Sequence, residues 1–147
     1  MSQDGVLVHN TNCEVFRVQG GESKKEGGLG RSKPLIHIDS NGNVKIKEKT
    51  LNISLGNSDH AKYYLKERRP GAVIVSFEIP KWLQDFIEET SIPQTGSTSN
   101  IMNQGGLAPK LTDSTTPGTS YELPPIWAKW LEENAIPGTG KVIREGN

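Results

Sequence analysis

The sequence has one cysteine, Cys13. An internal disulfide framework and a cysteine-rich zinc site are thereby excluded. Apolar residues are scarce, at 33% of the chain, and aromatic residues supply only 6%. Neither sign of charge is in excess, because 17 Lys and Arg offset 17 Asp and Glu. Long-range attraction of the whole chain to nucleic acid is therefore weak, while a local basic patch stays compatible with the count. No apolar run approaches the length of a membrane span, and no signal peptide is read. For a secreted domain, the export signal is expected on a larger parent chain.

A length of 147 residues fits one domain with a real core. The 16 glycines and 9 prolines point to long connections. Residues 1–12 read as a leader and 13–147 as a single domain. Residues 20–33 (GGESKKEGGLGRSK) and 95–121, rich in Ser, Thr, Asn, Gly and Pro, read as long loops. Between them, alternation predicts strands at 13–18 (CEVFRV) and 51–55 (LNISL). A hairpin is expected from 35–39 and 44–47, turning at Ser40-Asn41-Gly42-Asn43. Ser58 is placed to cap a helix over 59–68. Residues 72–79 (AVIVSFEI) form the most apolar strand, expected to be central. Pro80 opens a helix over 81–89 that groups Trp82, Leu83, Phe86 and Ile87. Residues 125–134 form a last helix with Ile126, Trp127, Trp130 and Leu131 at the same spacing.

Residues 79–96 (IPKWLQDFIEETSIPQTG) align without gaps to 123–140 (LPPIWAKWLEENAIPGTG), with 7 of 18 positions identical. Two amphipathic helices with similar proline starts and stops account for this likeness. Each apolar stripe must pack on a sheet. The fold class expected is α+β, an antiparallel sheet packed by two or three helices with long Gly/Ser/Pro-rich loops.

Residues 4–11 read DGVLVHNT. This resembles the end of the Hint-like segment that precedes toxin domains of bacterial polymorphic toxins of the Rhs and contact-dependent inhibition type. In that family an Asn side chain attacks its own carbonyl with help from the adjacent His. The resemblance carries these roles to His9 and Asn10, with Thr11 as the first residue of the released toxin. The body is also similar to such toxin C-termini in VFRVQGG, LNISLGNSDHAKYYL, VSFEIP and IPGTGKV. The resemblance implies secretion within a larger protein, action in the target-cell cytoplasm and a cognate immunity protein. An acidic inhibitor is expected if it covers a basic RNA cleft. No membrane partner is implied, and a monomer is expected apart from the inhibitor.

Several chemistries lack their motifs. Gly138-Thr139-Gly140-Lys141 fails as a phosphate loop, because position 135 is Ala and position 142 is Val. There is no HExxH, no paired cysteine motif and no GxSxG. Metal-independent RNA cleavage asks for less: a base, an acid and a cation at the phosphorane. Arg17, His37, His60, Lys110 and Thr112 are the candidate catalytic residues, with Asp113 beside the last two. Arg17 shares a strand face with Val15 and Gln19. His37 lies between Ile36 and Ile38, and His60 in the first turn of its helix, near free backbone N–H groups. The expectation is a ribonuclease toxin that needs no cofactor and acts on RNA. A second reading is an NAD-consuming ADP-ribosyltransferase or glycohydrolase, using Arg17, Ser54 and Glu78 or Glu122. A third is a non-enzymatic binding module.

Overall fold

A computed structural model describes residues 12–20, 34–66, 72–112 and 118–144. The His9–Asn10 pair, most of the 20–33 loop, Arg68 and Asp113 lie outside the described residues. The first strand, β1 (Asn12–Gln19), follows from its alternation: Cys13 and Val15 enter the main core, while Phe16 enters a smaller cluster on the opposite face. β2 (Ile36–Ile38) and β3 (Val44–Ile46) form the expected hairpin. Its turn is held by the Asp39 carboxylate, which accepts from the N–H groups of Asn41 at 2.8 Å and Asn43 at 2.9 Å. Gly42 supplies the positive φ of 78°.

β4 (Leu51–Leu55) leads into α1 (Asp59–Lys66), whose first backbone bond runs from Lys62 N–H to Ser58 O at 2.8 Å. β5 (Val73–Pro80), α2 (Lys81–Thr90) and the two-residue β6 (Ile92–Pro93) follow. Next come β7 (Lys110–Leu111), β8 (Tyr121–Leu123), α3 (Pro125–Asn134) and β9 (Lys141–Arg144). Among the described residues, seven strands form one sheet in the order β9-β5-β1-β4-β8-β7-β6. Neighbours are antiparallel except β6 and β7, which are parallel, so the sheet is mixed. The fold is α+β, as the periodicities predict.

The two similar segments are two crossovers over one face. β5, next to one edge, continues through α2 to β6 at the far edge. β8 continues through α3 to β9 at the opposite edge. Equivalent positions share their environment: Leu83 and Trp127 are buried, as are Ile87 and Leu131. With hairpin residues Leu35, Ile36 and Ile46, these side chains make the main core on Val15, Ile53, Phe77, Ile79 and Leu123. Each fully buried aliphatic side chain contributes about 1.5–3 kcal/mol. On the other face, α1 covers only part of the sheet, through Ala61 and Leu65 against Phe16 and Ile74. No helix among the described residues is long and apolar enough to cross a membrane.

Candidate active site

The sheet separates the five residues singled out in the sequence. Arg17 lies on the main-core face and is only 4% exposed. Its Nε donates to Gln19 Oε1 at 3.3 Å and its Nη1 to Asn52 O at 3.0 Å. Gln19 in turn holds both backbone groups of Ile36: its Nε2 donates to the carbonyl at 2.7 Å, and its Oε1 accepts the N–H at 3.1 Å. Arg17 and Gln19 thus clamp the β2–β3 hairpin onto the sheet. His37, next to Ile36, points outward and lines an open cleft of about 340 Å³ with Gln19, Ile38, Val73, Val75 and Val142.

His60, Lys110 and Thr112 belong to the other side. α1 packs on the face that carries Phe16, and Gly118 lies against the start of α1, its α-carbon side facing the backbone and Cβ of His60. Two residues on, Ser120 shares a short hydroxyl–hydroxyl bond with Thr112, and its carbonyl accepts from Thr112 Oγ1 at 3.1 Å. Lys110 Nζ donates to Ala108 O at 2.9 Å and Gly106 O at 3.3 Å. These bonds tie Lys110 to its own loop and Thr112 to Ser120. The NAD-reading residues divide as well. Arg17 faces the core, whereas register puts Ser54, Glu78 and Glu122 on the α1 face.

That face holds a cluster of a different kind. Glu14 and Glu78 are direct register partners across β1 and β5. Opposed side chains in such a ladder sit about 4.5–5.5 Å apart at Cβ, and like charges there are destabilising. The chain surrounds them with donors. Lys141 Nζ lies 3.2 Å from Glu14 Oε2, and Ser76 Oγ donates to the same oxygen at 2.7 Å. Asn12 Nδ2 donates to Glu78 Oε1 at 3.1 Å. Glu14 and Lys141 both keep contact with solvent.

The IPGTG segment positions Lys141. Ile136 N–H donates to Glu78 O at 2.8 Å, and Glu78 N–H to Thr139 Oγ1 at 3.0 Å. Gly140 N–H donates to Gly42 O at 2.8 Å, tying the turn to the hairpin tip. The glycines suggestive of a phosphate loop therefore serve a close backbone crossing. In the sequence, Glu78 serves only the NAD alternative and Lys141 only a rejected motif, while Glu14 and Ser76 carry no candidate role. The available signal was a Glu at a polar position in each of two apolar strands (CEVFRV and VSFEIP). Their pairing needs the register, which the sequence does not state.

Among the described residues no group of three or more His, Cys, Asp or Glu side chains is arranged to hold a metal ion. Comparison with protein-family models, with curated proteins and with solved structures gives no match.

Proposed function

We propose that this chain is the effector domain of an antibacterial polymorphic toxin, delivered as part of a larger secreted protein. In this reading it cleaves RNA without a metal in the target-cell cytoplasm, and a cognate immunity protein restrains it. The observation that carries the reaction is the Glu14–Glu78 pair with Lys141 at 3.2 Å. Two like charges opposed in a ladder contradict the pairing preference of sheets, and such local violations concentrate at functional sites.

The arrangement offers what phosphodiester transesterification requires. One glutamate takes the proton of the ribose 2′-OH as the oxygen attacks phosphorus. The bond from phosphorus to the 5′ oxygen breaks, and that oxygen takes its proton from the second carboxyl group, which must enter the step as the acid while the first enters as the base. The Lys141 ammonium faces the charge that develops on the phosphorane. Asn12 and Ser76 orient the two carboxyl groups. The Hint-like leader and the toxin-like segments of the body support the cellular role.

Purified chain incubated with total tRNA in EDTA is expected to yield discrete fragments. A parallel incubation with labelled NAD is expected to show no nicotinamide release. Intact tRNA together with NAD turnover would replace this reading with the transferase one. Intact tRNA and intact NAD, with growth arrest on expression, would point to a binding module.

A further inference from the structure

α2 and α3 lie over the main core, and their aromatic side chains on one side are not covered. Leu83, Ile87, Trp127 and Leu131 are buried, but Trp82 is 58% exposed, and Phe86 and Trp130 are also open to solvent. The rings form one ridge. Phe86 lies 5.4 Å from Trp127 and 6.3 Å from Trp130, and Trp127 meets Trp130 edge-on at 4.9 Å. Trp127 Nε1 donates to Leu107 O at 2.7 Å, which fastens a further loop to α3. That loop exposes Leu107, Met102 and, at 84%, Ile101.

The loop presents these side chains from a fixed backbone. Asn100 Oδ1 accepts from Met102 N–H at 2.8 Å. Asn103 Nδ2 donates to Ser97 O at 3.0 Å, and its Oδ1 accepts from Ala108 N–H at 3.2 Å. Phe86 and Trp130 are in ring contact with Trp127, Trp127 holds the loop at Leu107, and Trp82, Leu107, Met102 and Ile101 add exposed apolar side chains on the same helix and loop.

The rim decides the partner. Glu89 follows Phe86 by three residues and Glu133 follows Trp130 by three, so each flanks the ridge on its helix, and both are exposed. Glu132 accepts from Ile46 N–H at 2.6 Å and is turned to the hairpin, which leaves Lys81 and Lys129 against Asp85, Glu88, Glu89 and Glu133. Lys81 is already held by Asp85 at 2.6 Å. Residues 94–109 carry no charge. We infer that the ridge between α2 and α3 is the docking surface for an amphipathic helix of a protein partner, apolar on one stripe and flanked by Lys or Arg. A second copy would set one acidic rim against another, and an anionic membrane would be repelled. The surface lies on the face opposite Glu14 and Glu78, so it stands or falls apart from the RNA reading.

A fluorescein-labelled leucine/lysine amphipathic helix is the probe, with a leucine/glutamate helix as its counterpart and lipid vesicles with and without phosphatidylserine as a third arm. Saturable binding of the lysine helix is expected, at least about tenfold tighter than the glutamate helix. Trp82→Ala, at a position that carries little packing, is expected to weaken it about tenfold, and Glu89→Lys with Glu133→Lys to reverse the preference. Equal binding of the two helices, stronger binding to vesicles, self-association through the ridge, or indifference to Trp82→Ala would each overturn the inference.

Discussion

A methyl group at position 140 would meet Gly42 O at 2.8 Å and two methyl carbons of Ile38 at 2.9 Å. A backbone carbonyl cannot swing aside as a long side chain does. Gly140→Ala is therefore expected to lose about 1–3 kcal/mol in urea unfolding. Gly96 has a φ of 78° with nothing within 4 Å of an added Cβ, so Gly96→Ala costs only the backbone term, about 1–2 kcal/mol. An unchanged stability in Gly140→Ala would contradict the close crossing of the hairpin tip and the IPGTG turn. Cys13 makes a second prediction at this scale. Burial pushes its thiol up from 9.0 to about 11, with the Glu88 charge adding to the effect. The folded form thus keeps a proton that the unfolded form releases. This contribution to stability is complete below pH 9 and is lost as pH rises through about 11. Cys13→Ala should flatten the fall in stability over that range, measured as denaturation midpoints against pH. An unchanged slope would contradict it.

Among the elements, the hairpin is held to the sheet by polar as well as apolar contacts. Gln19 satisfies both backbone groups of Ile36 and is itself braced by Arg17. Gln19→Leu leaves the buried Ile36 groups and an Arg17 donor without these bonds, so a loss of about 2–3 kcal/mol is expected. Faster hydrogen exchange confined to β2 and β3 should accompany it; uniform exchange over the whole chain would argue against a local clamp. The elements best written in the sequence are those with a clear period: β1, β4, β5, the hairpin, α2 and α3. β6, β7 and β8, of two or three residues, are as short as the hairpin strands but lack a tight-turn signature such as Asn41-Gly42, and they arise from pairing. Helical spacing grouped Trp82 and Phe86 with Leu83 and Ile87, but the apolar face is wider than the area the sheet can cover. The outer pair remains exposed for that reason.

For the molecule as a whole, the two sides of one sheet carry different groups. The side under α2, α3 and the hairpin holds the main core, including Arg17, whose place on the face of Val15 and Gln19 was legible from alternation. The side only partly covered by α1 presents Glu14, Glu78, Ser76 and Lys141. This cluster was not legible, because residues 14, 78 and 141 meet only through the antiparallel registers of β1 and β9 with β5. The candidates His37 and His60 were visible as isolated polar residues on elements, yet the sequence could not show that the sheet lies between them.

Single-turnover cleavage of tRNA by Glu14→Gln and Glu78→Gln, each checked for an unchanged far-ultraviolet spectrum and melting midpoint, tests the central claim most directly. Each substitution is expected to lower the rate about 10²–10⁴-fold, and Lys141→Ala to lower it comparably. Wild-type cleavage rates in folded Glu14→Gln and Glu78→Gln would contradict the assignment of the carboxylate pair as the reaction centre.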